Sequence, residues 1–249
     1  MAGQQKDVTG VNCLRNDEGE VLVEEQQIKN RWRKYMQKLL NEENEWNREV
    51  VSEAVQGPRE LITKTEVEQA IKEMKSGKAG GPSEVVGEMI NAAGKNGVDM
   101  MTKLCNQIIE EGRIPLDWEI STLVPVYKGK GDPLECGSYR AIKLLEHAMK
   151  VLERVLDRRI RQKVNIDCMQ FGFMPGKGTV DAIFICRQLQ EKYLEKTKDL
   201  YFAFVDLEKA FDRVPRDVVW WSLRKFGVEE WIIQTVMAMY TKAKTTVWT

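Results

Sequence analysis

FVDLEKAFD, residues 204–212, is the stretch of sequence that decides the predicted fold of this chain. It ends a run at 199–206 in which apolar side chains alternate toward both sides, and such a run predicts a strand buried on both faces. An aspartate at the end of that strand, Asp206, leaves the sheet where a ligand can reach it. Its carboxylate and the backbone carbonyl of Leu207 can bind a hard divalent cation. In the alternative, Asp206 only caps the strand end and Phe211 belongs to the core.

A second informative segment is STLVPVYKGKGDPLECGSYRAIKLL, residues 121–145. Its two ends are rich in strand-forming residues and its centre is rich in turn formers, so it predicts a hairpin with a long loop. A triphosphate needs a cation with several donors and a flexible point charge beside it. Arg140 suits the first role and Lys128 the second, with Lys130 as a further candidate. In the alternative, these lysines belong to a solvated turn.

A glycine-rich segment, QFGFMPGKG at 170–178, lies between two predicted helices. Its glycines allow the backbone to approach a nucleic-acid strand closely, and Thr179 can cap the helix that follows. The segment does not satisfy the G-x-x-x-x-G-K-[S/T] pattern of a Walker phosphate loop. Nucleotide binding of that type is therefore not expected here.

The helix predicted at 146–163 has an apolar face and a basic stripe. The chain has 38 basic and 38 acidic residues, so any nucleic-acid surface must be local. Between Lys128 and Lys163 there are ten basic and five acidic residues. A stripe of this kind is either a solvated helix face or a contact for phosphates. The stripe consists of Lys150, Arg154, Arg158 and Arg161.

These segments, in their order and spacing, resemble the reverse transcriptases of non-LTR (LINE-type) retrotransposons. Residues 204–212 are similar to the first catalytic motif of that family, F-V-D-x-x-K-A-F-D. Residues 121–145 are similar to its hairpin with Y-R-P-I-S-L, and 170–183 to Q-x-G-F-R-P-G-x-S-T-x-x-A-I. Weaker similarity to the region before the polymerase core lies at 31–41 and 62–85. The sequence departs from the family pattern at Gly80, Ser83, Ala141, Lys143 and Met174.

The resemblance implies an α+β right-hand polymerase fold, with only the fingers and the start of the palm and a helical N-terminal extension. It implies three regions: an extension and linker at 1–60, a helical region at 61–120 and a partial reverse transcriptase domain at 121–249. The implied activity is RNA-templated DNA synthesis with Mg²⁺. The implied partners are an RNA template, a DNA primer and a deoxynucleoside triphosphate, and the oligomeric state stays open.

The resemblance also implies roles for particular residues. Asp206 is the implied catalytic residue and, with the carbonyl of Leu207, a metal ligand. The residues implied to bind the nucleotide are Lys128, Arg140, Leu207 and Phe211. The residues implied to contact the template or other nucleic acid are Gln170, Phe171, Gly172, Lys150, Arg154 and Arg158.

The family also uses an Asp-Asp motif that supplies further metal ligands, and no Asp-Asp dipeptide occurs anywhere in this chain. One carboxylate cannot hold two Mg²⁺ ions, so we expect the isolated polypeptide to lack polymerase activity. Two alternatives stay open. The chain is either a nucleic-acid-binding module without chemistry or an inert retroelement remnant that does not fold stably.

The remaining composition excludes several other classes of protein. The five cysteines are scattered and there is one histidine, His147, which disfavours a zinc site and a disulfide framework and suits a reducing compartment. We expect His147 to be structural. Without a signal core or a run of about 18 apolar residues, we expect an intracellular protein of the nucleus or cytoplasm, with no signal peptide and no membrane span.

The periodicity of the sequence predicts the positions of the remaining elements. Residues 1–23 are expected to be a poorly ordered lead-in with a turn at 16–19, and Thr65 with Glu68 fits a capping box. Trp220, Trp221 and Trp231 are expected in the core or half-exposed. The predicted helices span 24–41, a segment from Thr63 or Thr65 to Gly77, 84–93, 98–111, 146–163, 179–195, 215–226 and 229–240.

Overall fold

The computed structural model describes residues 13–47, 51–207 and 209–248, and within them it is an α+β fold, as the sequence predicts. The strands are β1 (Leu14–Arg15), β2 (Val21–Leu22), β3 (Ile120–Tyr127), β4 (Tyr139–Leu144) and β5 (Lys244–Val247). The α-helices are α1 (Glu25–Asn41), α2 (Lys64–Lys72), α3 (Gly87–Ala92), α4 (Gly94–Glu111), α5 (His147–Lys163), α6 (Thr179–Glu195), α7 (Arg216–Lys225) and α8 (Glu230–Thr241). All the predicted helices are therefore present.

The start of α2 differs from one sequence expectation. The capping box is formed by Thr63 and Glu66, not by Thr65 and Glu68. The Thr63 hydroxyl accepts a hydrogen bond from the Glu66 amide at 3.3 Å, and the Glu66 carboxylate accepts one from the Thr63 amide at 2.8 Å. Both threonines have a glutamate three residues on, so the local pattern fits either start. In the structure the Glu66 carboxylate also binds Arg159 of α5 at 2.7 Å, whereas Glu68 pairs with Lys72 on its own helix.

The predicted hairpin is confirmed, because β3 and β4 pair antiparallel with Val126 opposite Arg140. A strand that the sequence did not predict, β5, pairs parallel to β3, which gives the sheet order β4-β3-β5. Only four residues form β5, and its partner lies more than a hundred positions away. A pairing at that separation leaves no local periodicity in the sequence.

The larger of two apolar cores is helical. It lies between α2, α4, α5 and α8, where Val67, Leu152 and Ile233 are completely shielded from solvent. Burying each such side chain contributes roughly 1.5–3 kcal/mol. Trp220 and Trp231 also lie in this core, and Trp221 is half-buried, as the sequence analysis expected.

The second core joins α1 to the hairpin. Trp32 of α1 is completely buried against Leu123 and Cys136. Leu14 of β1 is also fully buried, so the expectation of a poorly ordered lead-in is wrong for residues 14–22, and residues 1–12 lie outside the described part. The turn is confirmed, since the Asn16 side chain accepts hydrogen bonds from the backbone amides two and four residues on.

The predicted linker at 42–60 lies against the C-terminal helices where it is described. The Asn44 amide donates to the Arg213 carbonyl at 3.0 Å. Farther along, the Glu230 amide donates to the Val55 carbonyl at 2.9 Å. The segment thus runs back from α1 toward the start of α8.

The prediction of a buried strand at 199–206 is wrong. These residues have no regular secondary structure, and the Tyr201 and Phe204 side chains are each 87% exposed. A strand exists only through hydrogen bonds to a neighbouring strand. In the part of the chain that the structure describes, no other strand pairs with this segment, so its apolar alternation has no sheet to be buried in.

His147 has the structural role that the sequence analysis expected. It is buried at the start of α5, and its Nε2 lies 3.0 Å from the Ala79 carbonyl. The glycine-rich loop at 76–83 packs on this helix end, where a side chain at Gly81 would collide with the backbone of Leu145. None of the helices formed by the described residues combines the length and apolar character needed to cross a membrane.

Candidate nucleotide and template site

Lys128 and Arg140 lie on the same face of the hairpin. Val126 is opposite Arg140, and the Lys128 amide continues the ladder with a 2.9 Å bond to the Ser138 carbonyl. Side chains alternate along a strand and directly opposite residues share a face, so Val126, Lys128 and Arg140 project to the same side. The Lys128 Nζ donates to the Gly137 carbonyl at 2.7 Å, and Arg140 is exposed. This face therefore carries the exposed Arg140 beside the half-buried Lys128.

The other face of the hairpin is aromatic and attached to α1. The rings of Tyr127 and Tyr139 lie 5.4 Å apart, and Trp32 meets Tyr139 edge-on at 5.3 Å. The alternation of the strand thus separates a packed face from the cationic face. Because α1, the N-terminal helix, covers the packed face, it determines the direction in which the cationic face points.

In the Asp206 segment, residues 199–212, the described residues before a short turn have no regular secondary structure and are largely exposed. Asp206 and Leu207 are exposed, and a 3-10 helix follows at Ala210–Asp212. Before that helix, Lys209 adopts a left-handed conformation with φ of 50°. Phe211 is exposed, but the edge of its ring meets the ring of Phe173 at 5.5 Å.

The glycine-rich loop at 170–178 therefore contacts the Asp206 segment through Phe173. Within the loop, the Gln170 side chain donates to the Gly172 carbonyl at 3.0 Å, and the Lys177 Nζ lies 5.5 Å from the Phe171 ring centre. Gln170 and Gly172 are exposed and Phe171 is half-buried. The structure thus brings together two of the segments that the sequence analysis singled out.

The start of α6 differs from the expectation that Thr179 caps it. Thr179 is the first residue of the helix, and Gly178 occupies the cap position. The Gly178 amide donates to the Asp181 carboxylate at 2.7 Å. An aspartate in the first turn can satisfy a free amide and stabilise the positive end of the helix, so it replaces the hydroxyl cap.

The basic stripe of α5 is partly engaged by an acidic residue of α2. Arg158 contacts the Glu73 carboxylate at 2.5 Å, and Arg154 approaches it at 3.8 Å. The hydrogen bond from Arg158 is the main cause of a lowered pKa at Glu73. Lys150 is half-buried, and this burial lowers its pKa. A phosphate at Arg154 or Arg158 would therefore have to compete with Glu73.

Arg159 has a structural role that the sequence did not indicate. Its guanidinium binds both carboxylate oxygens of Glu66, at 2.7 and 2.8 Å, and donates to the Glu60 carbonyl at 2.7 Å. Burial by itself would raise the pKa of Glu66, but hydrogen bonds from Arg159 and Thr63 outweigh it and lower the pKa to about 2. An arginine beside the basic stripe has no sequence signal that distinguishes it from the neighbouring arginines.

Residues 127–249 match the protein family described as reverse transcriptase (RNA-dependent DNA polymerase). These residues belong to the reverse transcriptase family. The chain is similar to the Pol polyprotein of the type-1 retrotransposable element R1 of Bradysia coprophila, 35% identical over 60% of this chain and 15% of that protein. It is also similar to the RNA-directed DNA polymerase of the mobile element jockey of Drosophila melanogaster, 25% identical over 63% of this chain and 18% of that protein.

The similarity to a third relative extends to the N-terminal helices. The transposon TX1 149 kDa protein of Xenopus laevis is 25% identical over 97% of this chain and 19% of its own length. The chain thus spans less than a fifth of the length of these three relatives. The names of the R1 and jockey relatives identify the reverse transcriptase as the LINE type, which confirms the resemblance found in the sequence.

The metal site of the reverse transcriptase family is not assembled by the residues that the structure describes. Among them there is no group of three or more Asp, Glu, His or Cys side chains that can hold a metal ion. Asp206 and the Leu207 carbonyl are exposed, and Mg²⁺ requires near-octahedral oxygen coordination. These two residues do not fit a two-metal site by themselves, so we derive no catalytic step through a metal.

Proposed function

We propose that the chain forms the fingers and the beginning of the palm of a right-hand polymerase that copies RNA into DNA. The observation that carries this proposal is the shared face of Lys128 and Arg140 on the hairpin. A planar guanidinium beside a flexible ammonium suits a triphosphate, because the first binds two oxygens at once and the second adapts to a third. The incoming deoxynucleoside triphosphate lies on this face.

Asp206 is the proposed catalytic residue, and it lies on the side of the nucleotide opposite the hairpin. Its carboxylate and the Leu207 carbonyl are part of the ligand set for Mg²⁺, which needs further oxygen ligands to be complete. Phe211 packs under the sugar of the nucleotide. Its contact with Phe173 supports this placement, because it brings the Asp206 segment next to the loop proposed to bind the template.

The RNA template and the DNA primer are the proposed nucleic-acid partners. Gln170, Phe171 and Gly172 contact the template strand, and the exposed glycine lets the backbone approach it closely. Lys150, Arg154 and Arg158 contact phosphates along α5, and the two arginines release Glu73 as the phosphate binds. The five free thiols support a reducing, intracellular location, in the nucleus or the cytoplasm.

Nucleotide binding is tested by photo-crosslinking an azido-dATP analogue to the full chain. We expect labelling of the hairpin peptide, reduced about tenfold by Arg140→Met, because a charge-assisted contact contributes roughly 1.5–3 kcal/mol. Arg113→Met is the matched control, since it makes the same substitution at an exposed arginine outside the hairpin. Equal labelling of the two variants would contradict the proposed nucleotide face.

We further propose that this 249-residue polypeptide does not extend a primer by itself, because it contains no Asp-Asp dipeptide to complete the metal site. The measurement is a primer-extension assay with an RNA template and Mg²⁺. Product that disappears with Asp206→Asn would overturn this proposal.

A further inference from the structure

Tyr35 of the N-terminal helix contacts the segment that carries Asp206. The Lys209 Nζ donates a hydrogen bond to the Tyr35 hydroxyl at 2.5 Å and lies 4.7 Å from the centre of the Tyr35 ring. The two residues are 174 positions apart in the chain, and both are partly buried. One tyrosine thus offers the ammonium group both an acceptor and an aromatic face.

The same tyrosine stands next to the hairpin. A side chain at Gly137 would lie 4.0 Å from the Tyr35 hydroxyl, and the Gly137 carbonyl accepts the hydrogen bond of the Lys128 Nζ at 2.7 Å. The adjacent Cys136 is buried in the core that α1 forms with the hairpin. Tyr35 therefore lies where the hairpin loop and the Asp206 segment meet.

The backbone at Lys209 depends on such a contact. Its φ of 50° and ψ of 41° belong to the left-handed region, which a side chain other than glycine adopts at a cost. A residue keeps such a conformation only where its surroundings determine it. Residues 201–207 are irregular and exposed, so among the described residues the contacts at and after Lys209 are what holds this turn.

We propose that Tyr35 is a positioning residue for nucleotide binding. It holds Lys209 and thereby sets the position of Asp206 and Phe211 relative to Lys128 on the hairpin. The positioning role rests on the proposed function, whereas the contact between Tyr35 and Lys209 does not. The N-terminal helix is then a part of the nucleotide site and not only its scaffold.

The contact is tested on the full chain by labelling lysines with an amine-reactive reagent and quantifying each peptide by mass spectrometry. Tyr35→Phe removes the hydroxyl and keeps the ring, so we expect about tenfold more labelling of Lys209 relative to the exposed Lys196, and a larger increase with Tyr35→Ala. Tyr193→Phe on α6 is the matched control. Unchanged Lys209 labelling in Tyr35→Phe would overturn the proposal.

The positioning role is tested by nucleotide crosslinking to the same variants. We expect the crosslinking yield on the hairpin peptide to fall about threefold in Tyr35→Phe. The Tm of this variant should equal that of Tyr193→Phe. Lys209→Met should cause the same loss, and the double variant no further loss, because both residues act through one contact. A full yield in Tyr35→Phe would overturn the role. Absence of crosslinking in the wild type contradicts the proposed function instead, and the lysine labelling still decides the contact.

Discussion

Helices α5 and α6 have the same length, 17 residues, but differ completely in burial. In α5 six residues are buried, whereas α6, all of whose residues are described, buries none. Both helices contain apolar residues at helical spacing, and these are more clearly confined to one face in α5 than in α6. The difference is in their neighbours, because α5 packs between α2 and α8 while Phe184 and Leu194 of α6 face solvent. An apolar stripe stabilises a fold only where a second surface covers it.

The largest expected effect of this difference is the loss of stability when a core side chain is truncated. Leu152→Ala in α5 should lower the free energy of unfolding by about 2–5 kcal/mol, because it leaves a cavity in a fully buried site. Leu194→Ala in α6 is the matched control, since Leu194 is 67% exposed. Urea denaturation of both variants measures the two losses. Similar losses would show that α6 is packed in solution.

A smaller effect is expected from the ion pair that ties α5 to α2. Glu66→Gln should lower the free energy of unfolding by roughly 1–2 kcal/mol, a value reduced from that of a buried pair because the Glu66 side chain is 29% exposed. Urea denaturation at pH 7 measures this loss. Glu68→Gln, on the same helix and in an exposed pair with Lys72, is the control and should change little.

The same pair predicts a pH dependence. The pKa of Glu66 is lowered from 4.5 to about 2 in the folded protein, so its carboxylate stabilises the fold above pH 4.5. This contribution is lost as the pH falls from 4.5 toward 2, because in this window the unfolded chain binds a proton at Glu66 and the folded protein does not. Stability measured over this window should fall less steeply in Glu66→Gln. Parallel curves would mean that Glu66 is not paired.

The smallest expected effect is on the exposed helix itself. Phe184→Ser should change the free energy of unfolding by less than about 0.5 kcal/mol, since the side chain is 61% exposed. The same substitution should reduce binding of an apolar dye such as ANS, because it removes part of an exposed apolar surface. A loss above 2 kcal/mol, with dye binding unchanged, would contradict the exposure of α6.

Local patterns predicted much of the secondary structure and part of the candidate site. The hairpin at 121–145 and the helices α5 and α6 follow from residue order, whereas the shared face of Lys128 and Arg140 follows from the register of the two strands. The sequence did not reveal the contact of Tyr35 with Lys209 or the pair of Arg159 with Glu66. Each joins residues more than ninety positions apart, and no local pattern records such a partner.

The sequence by itself determined the family, because FVDLEKAFD and the two motifs before it are chemical patterns that can be read without coordinates. It also determined which segments form helices, since capping and periodicity act within a few residues. Only the tertiary structure decided what these elements contact. The apolar alternation at 199–206 predicted a buried strand, yet the segment is exposed, because hydrogen bonds to a neighbouring strand and burial between layers are properties of partners and not of the segment.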